Sequence, residues 1–110
     1  MIESRVLSEM AARIAAVARP EKVVLFGSHA RGDAGVYSDV DFLVIQQTDL
    51  PRPKRSVPLY AIVRDYPYSK DIVVYTPEEV NTYHKLPNSF VMTALREGKV
   101  LYEKQAGLRS

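Results

Sequence analysis

The chain has 110 residues, of which 46% are hydrophobic, and a formal net charge of +2. These values indicate one globular domain of ordinary size. The absence of cysteine excludes a disulfide framework, a thiolate metal site and a cysteine nucleophile. The positive charge is weak and scattered, which argues against direct binding of nucleic acid, and no apolar run approaches the roughly 18 residues of a membrane span.

No internal repeat or low-complexity segment divides the chain. We therefore expect a single domain over residues 1–104, followed by a disordered tail over residues 105–110. Glu3 and Arg5 stand where a secretory signal needs its basic region and apolar stretch, so we expect a cytoplasmic protein.

The first half of the chain predicts a helix, two strands and a turn. Apolar residues recur every three or four positions over Ile2–Arg19, which predicts a helix that Pro20 ends. The apolar stripe of this helix comprises Ile2, Val6, Met10, Ile14 and Val17. A strand over Val23–Phe26 is expected next, then a polar turn over Ser28–Gly35 that leads into a short helix. A second strand is expected over Asp39–Ile45.

The second half continues the alternation of helix and strand. Prolines at positions 51, 53 and 58 predict an irregular segment before a helix over Ser56–Asp65. A third strand over Asp71–Tyr75 is followed by a helix that begins at the capping residue Thr76. The pattern ends with a helix over Ser89–Glu97 and a strand over Lys99–Glu103. The fold class is therefore α/β, a small mixed sheet of three to four strands covered by helices.

Two aspartates at the beginning of the second strand are candidate metal ligands. Asp39 and Asp41 point to the same face of a strand, with backbones about 6.5–7 Å apart. If their carboxylates converged to 4 Å, the repulsion would be on the order of 4 kcal/mol at an effective dielectric of 20, and a magnesium ion would remove it. Leu43 and Ile45 continue this face and should be buried, which favours a site over the alternative of solvated residues at a strand start.

A glycine and a serine directly follow the first strand. Gly27 allows a sharp turn and a close approach to a ligand, and a helix that begins after Ser28 would offer free N–H groups to a phosphate. The pair alone is a weak signal, because it is neither a P-loop nor a dinucleotide-binding motif.

A third carboxylate begins the third strand. Taken alone, Asp71 is better explained as a strand-edge residue in an ion pair with its neighbour Lys70. Together with the two earlier aspartates and the glycine turn, however, it suits two-metal phosphoryl chemistry, in which the third carboxylate holds the catalytic metal and helps to deprotonate an attacking hydroxyl.

These residues resemble a known signature. The segments Phe26–Asp33 and Ser38–Val44 look like the motif of the DNA polymerase beta-type nucleotidyltransferase superfamily, and more closely like that of the minimal nucleotidyltransferases, or MNT proteins. Asp71–Val74 matches the strand of the third carboxylate, and Arg96–Glu103 resembles the usual ending. The resemblance implies a nucleotidyltransferase-like sheet with an ATP site at one end. It also implies, in many members, a role as antitoxin to a HEPN-domain ribonuclease, with AMP transferred to a toxin tyrosine.

The resemblance assigns the metal to three carboxylates. Asp39, Asp41 and Asp71 would bind Mg²⁺ and form the catalytic set, with Asp71 as the base.

The resemblance assigns the nucleotide to the glycine turn. Gly27 and Ser28 would bind the triphosphate of ATP, and Arg31 would steady a phosphate, unless it is only a solvated turn residue. His29 stands where the family often has arginine, which puts part of the phosphate affinity in question.

Three functions remain open from the sequence. The chain is an AMP-transferring antitoxin, or an antitoxin that silences its toxin by binding alone, or a transferase acting on a small hydroxyl substrate. The intact set of three carboxylates favours the first function, and an oligomer with the toxin is compatible with it. The basic residues Arg52, Lys54 and Arg55 are expected in a solvated loop, or in contact with an acidic partner, and His84 on a helix surface.

Overall fold

A four-stranded sheet with helices on both faces organises the chain. The computed structural model describes residues 2–35 and 38–105, so the expected tail lies outside the described residues from residue 106 onward. The elements are α1 Ser4–Ala18, β1 Lys22–Phe26, α2 Ser28–Arg31, β2 Val40–Ile45, α3 Arg52–Arg55, α4 Val57–Ile62, β3 Lys70–Tyr75, α5 Pro77–Tyr83, α6 Phe90–Glu97 and β4 Lys99–Glu103.

The sheet is mixed, as the sequence predicts. Its strand order is β3-β2-β1-β4. Strand β1 is antiparallel to β2 and β4, whereas β2 and β3 are parallel. The α/β fold class is therefore confirmed, and β2 lies in the interior of the sheet.

Two apolar clusters cover the two faces of β2 and fix its register. The larger cluster joins Val40, Phe42 and Val44 to helices α1 and α4, and the smaller cluster joins Leu43 and Ile45 to Val24 and Ala94. The expected burial of Leu43 and Ile45 is confirmed. Since a shift by one residue would exchange the two faces, this burial determines which side each residue of β2 takes.

Helix α1 buries a different stripe from the predicted one. Met10 and Ile14 are buried as expected, together with Leu7 and Ala11. Val17 is 64% exposed, so its predicted burial is wrong. The reason is its position in the last turn, where it lines an open cavity instead of meeting packed side chains.

The middle of the chain is more regular than predicted. The segment expected to be irregular contains helix α3, which has proline in its first turn. Helix α4 ends at Ile62 and not at Asp65, because Val63 leaves helical geometry with φ −111° and ψ 20°. The capping box of Thr76 and Glu79 at the beginning of α5 is confirmed, and no helix in the described ranges has the length and hydropathy that crossing a bilayer requires.

The three basic residues lie in helix α3 and not in the expected loop, and Arg55 is not solvated. The Arg55 side chain is only 10% exposed, and its Nη1 donates to Glu79 Oε1 at 2.7 Å. Arg52 donates to Glu79 Oε2 at 3.3 Å, and its guanidinium lies 4.7 Å from the centre of the Tyr75 ring. Arg52 and Lys54 are both exposed as expected. The partner carboxylate lies 24 residues beyond Arg55, so local sequence patterns do not reveal it.

Glu79 of α5 is the negatively charged partner in the contact between α3 and α5. The hydrogen bonds from Arg55 lower the pKa of Glu79 to about 2, with further contributions from the Thr76 backbone and Arg52 that outweigh the opposing effect of burial. Because the pKa is lowered by folding, the stabilising effect of the ionised carboxylate is fully present above about pH 4.5 and is lost as the pH falls through about 2.

We predict that Glu79→Gln lowers the free energy of unfolding by about 1–3 kcal/mol at pH 7, since Arg55 loses its buried counter-charge. The difference from wild type should shrink between pH 4.5 and pH 2.5. Urea unfolding followed by circular dichroism across this range measures it. Glu78→Gln, an exposed neighbour on the same helix, is the control, and an equal effect of the two substitutions would contradict the prediction.

Candidate active site

Asp41 and Asp71 lie side by side on neighbouring strands. In the register of the sheet, Asp41 is opposite Phe26 on β1 and opposite Asp71 on β3. Directly opposite residues share a face at a strand separation of about 4.8 Å. Asp39 lies on the same side one residue before β2 begins, so the structure brings the three predicted carboxylates to one end of one sheet face.

The charges around Asp41 act on its ionisation. Burial raises the pKa of Asp41, the carboxylates of Asp71 and Asp39 raise it further, and His29 and Arg31 oppose the rise. Asp41 is half-buried, whereas Asp39 and Asp71 are exposed. The site is thus a cluster of negative charge around one partly buried carboxylate.

The cluster suits a hard divalent cation by its charge and its oxygen donors. In residues 2–35 and 38–105, no group of three or more histidine, cysteine, aspartate or glutamate side chains already converges into a metal site. Burial is the main cause of the raised pKa of Asp41, and a cation would relieve the repulsion from Asp71 and Asp39 that raises it further. Magnesium keeps several water ligands and needs only one or two carboxylates from the protein, so these residues fit such an ion without a complete protein cage.

The turn at Gly27 lies directly against Asp41. Gly27 has φ 75° and ψ −156°, a conformation that is essentially restricted to glycine. A Cβ atom at this position would overlap the Asp41 Oδ2 atom and lie 3.1 Å from Cγ. Both conditions require glycine here, because the Asp41 carboxylate occupies the space that a side chain would need.

Helix α2 begins immediately after this glycine. The expected turn before the helix is therefore wrong: Ser28 is already its first residue. The Gly27 carbonyl accepts the N–H groups of Ala30 and Arg31, both at 3.1 Å, and Gly32 ends the helix with φ 86°. Because the first N–H groups of a helix have no partner within it, those of Ser28 and His29 are available as donors at this end of α2.

Two basic residues of α2 face the cluster. Arg31 forms an exposed ion pair with Asp33 at 3.3 Å, an interaction that contributes little in water and that a phosphate could replace. His29 Nε2 is buried and has no hydrogen-bond partner within the described ranges. Both residues lower the pKa of Asp41. His29, whose role the sequence left in question, therefore belongs to the candidate site.

The alternative explanation of Asp71 does not hold. Lys70 donates to the Tyr66 carbonyl at 2.7 Å and forms no ion pair with Asp71 among the described residues. The sequence did not reveal that Phe26 lies beside Asp41 on the face of the carboxylates. The available signal was its position directly before Gly27, on a strand whose alternate residues face opposite sides.

The sequence that forms this site matches one protein family. A match to the family described as "Polymerase beta, Nucleotidyltransferase" extends over residues 10–106. The chain belongs to this nucleotidyltransferase family. The family expected from the glycine turn and the aspartate pair is thereby confirmed.

Two relatives from Methanocaldococcus jannaschii are similar in sequence. "Putative protein adenylyltransferase MJ1305" is 34% identical over 88 residues, which are 74% of this chain and 58% of the relative. The chain therefore spans little more than half the length of that nucleotidyltransferase. "Putative protein adenylyltransferase MJ0604" is 34% identical over 90 residues, which are 76% of this chain and 80% of the relative.

A solved structure shares the fold. The crystal structure of a toxin-antitoxin with AMP-PNP matches with a TM-score of 0.62 and 20% identity, over 89% of this chain and 74% of the matched chain. At this identity the likeness concerns the fold alone.

We predict that Gly27→Ala lowers the free energy of unfolding by about 1–3 kcal/mol, because the new Cβ both meets the Asp41 carboxylate and imposes a strained backbone. Gly35→Ala is the matched control, since among the described residues its Cβ would meet nothing closer than Ser38 Oγ at 4.0 Å. Urea unfolding of the two variants at pH 7 makes the comparison. Equal stability of Gly27→Ala and wild type would show that the turn does not depend on glycine.

Proposed function

We propose that this nucleotidyltransferase transfers AMP from magnesium-bound ATP to a tyrosine hydroxyl of a HEPN-domain toxin and thereby acts as an antitoxin. The observation that carries the proposal is the row formed by Asp41 and Asp71 against the glycine turn at Gly27. Family membership supports nucleotidyl transfer, and the names of the two relatives support a protein acceptor.

Asp39, Asp41 and Asp71 would hold the magnesium. The bound ion would supply charge neutralisation at the phosphates and polarise the phosphorus under attack. Asp41 is the central ligand in this assignment, because it is the half-buried member and its pKa responds to both other carboxylates.

The triphosphate would lie on the turn before α2. The N–H groups of Ser28 and His29 and the Ser28 hydroxyl are hydrogen-bond donors at the beginning of this helix, and anions are favoured at that end. Gly27 lets phosphate oxygens approach the backbone, and Arg31 would exchange its exposed pair with Asp33 for a phosphate.

Asp71 is suited to receive the proton of the acceptor. It is exposed at the beginning of β3, which is an edge strand of the sheet, so a hydroxyl of a second protein can reach it. As the proton passes to Asp71, the hydroxyl oxygen bonds to the α-phosphorus of ATP. The bond from that phosphorus to the departing oxygen breaks, and pyrophosphate leaves with the electron pair.

A protein acceptor agrees better with the surface than a nucleic acid does. The cations in ion pairs with acidic residues are Arg5, Arg13, Lys22, Arg31, Arg52, Arg55, Arg96 and Lys104. Most of the positive charge is thus neutralised locally and does not form a basic stripe. The matched solved structure is itself of a toxin-antitoxin with AMP-PNP, which supports both a toxin partner and an adenine nucleotide.

We predict that incubation with ATP, magnesium and a HEPN-domain toxin that this chain neutralises adds whole AMP units to that toxin, as measured by intact mass. Asp71→Asn should slow the transfer by about 10²–10⁴-fold, the contribution of a general base, and spare most of the ATP affinity. The double variant Asp39→Ala/Asp41→Ala should abolish both the transfer and the binding of ATP. Asp49→Asn, in the loop beyond the other end of β2, is the control and should transfer at the wild-type rate.

Two outcomes would contradict the proposal. Transfer by Asp71→Asn at the wild-type rate would exclude its role as the base. A toxin that is silenced without a change in mass, equally by wild type and by the double variant, would show an antitoxin that acts by binding alone.

A further inference from the structure

A row of aromatic side chains crosses the sheet face that carries the carboxylates. Phe26 and Phe90 pack edge to face with ring centres 5.1 Å apart, Phe90 stacks on Tyr75 at 6.0 Å, and Tyr75 packs edge to face on Tyr83 at 6.0 Å. The row connects β1, α6, β3 and α5. Its first member is the cross-strand partner of Asp41, so the row begins beside the candidate active site.

The members of the row differ in what covers them. The Arg52 guanidinium lies 4.7 Å from the centre of the Tyr75 ring and 5.8 Å from that of Tyr83, so a cation covers the far end. Phe90, by contrast, is 40% exposed. Phe90 is the one aromatic residue among the exposed large apolar residues of the described ranges. The others are aliphatic: Val17, Leu50, Val57, Leu86 and Val100.

The Phe90 ring is held in place. It lies in the first turn of α6, where Ser89 caps the helix by accepting the N–H of Met92 at 3.0 Å and donates to the Tyr83 carbonyl at 2.7 Å. Its contacts with Phe26 and Tyr75 restrain the ring on two sides. A planar ligand that stacks on it would therefore lose little free energy to ordering of the side chain.

The ring lies within reach of a nucleotide held at the glycine turn. Phe26 directly precedes Gly27, and Phe90 contacts Phe26. A ligand with phosphates at Gly27 and Ser28 would extend from that turn by one ribose before its base begins. The Phe90 ring is a partly exposed apolar surface that packs on Phe26, the residue before this turn, and bases stack on such rings.

We propose that Phe90 is the platform on which the base of the bound nucleotide stacks. This inference rests on the proposed binding of the triphosphate at Gly27 and Ser28. A phenyl ring carries no hydrogen-bonding group and every base has a flat face, so the platform contributes affinity for the nucleoside without selecting between adenine and guanine. A contact surface for the partner protein is the competing role for the same ring, and the experiment below separates the two.

The experiment compares two ligands and three variants by calorimetry in the presence of magnesium. The ligands are ATP and inorganic tripolyphosphate, which has the phosphates and lacks the nucleoside. Phe90→Ala removes the ring, Phe90→Tyr retains it, and Leu86→Ala shortens another exposed apolar residue as the matched control.

We expect Phe90→Ala to weaken ATP binding by about 5- to 150-fold, the range observed when a stacked aromatic is removed. Binding of tripolyphosphate should change by less than about twofold, and GTP should lose as much affinity as ATP. Phe90→Tyr and Leu86→Ala should bind both ligands like wild type.

Three results would overturn the inference. Unchanged ATP affinity in Phe90→Ala would show that the ring does not bind the base and would favour its role as a contact surface for the partner protein. An equal loss of affinity for ATP and tripolyphosphate would show a general disturbance of the site. A wild type that binds neither ligand would overturn the proposed function together with the platform, whereas the first two results leave the proposed function intact.

Discussion

The register between β1, β2 and β3 is the constraint on which the rest of the site depends. It places Phe26, Asp41 and Asp71 in one row across three strands, although 30 residues of sequence separate the two aspartates. Burial on both faces of β2 fixes this register, because a shift by one residue would turn Asp41 into the core and expose Phe42. The packing of the apolar residues of β2 therefore determines which side chains meet at the site.

The row of Phe26, Asp41 and Asp71 has electrostatic and steric consequences that depend on each other. Burial and the two other aspartates raise the pKa of Asp41, so the folded chain holds carboxylates together at a cost in free energy. The turn at Gly27 contributes no side chain and leaves that charge accessible beside the beginning of α2. A bound cation would neutralise the carboxylates, and an anionic ligand bound with it would accept hydrogen bonds at the beginning of α2.

The sequence predicted the parts of this site that depend on local patterns. The alternation of Asp39, Asp41, Leu43 and Ile45 along one strand identified the carboxylate face correctly, because strand periodicity is a local property. Contacts between distant segments were not predictable in the same way. The pairing of Arg55 with Glu79 and the packing of Phe90 on Phe26 depend on tertiary structure, and no spacing in the sequence indicates them.

The most direct measurement is a crystal structure of the chain with manganese and a non-hydrolysable ATP analogue, with the metal located by its anomalous signal. We expect manganese bound to carboxylate oxygens of Asp41 and of at least one of Asp39 and Asp71, with the phosphates at Gly27 and Ser28. Manganese bound elsewhere, or an analogue whose phosphates avoid the beginning of α2, would contradict it.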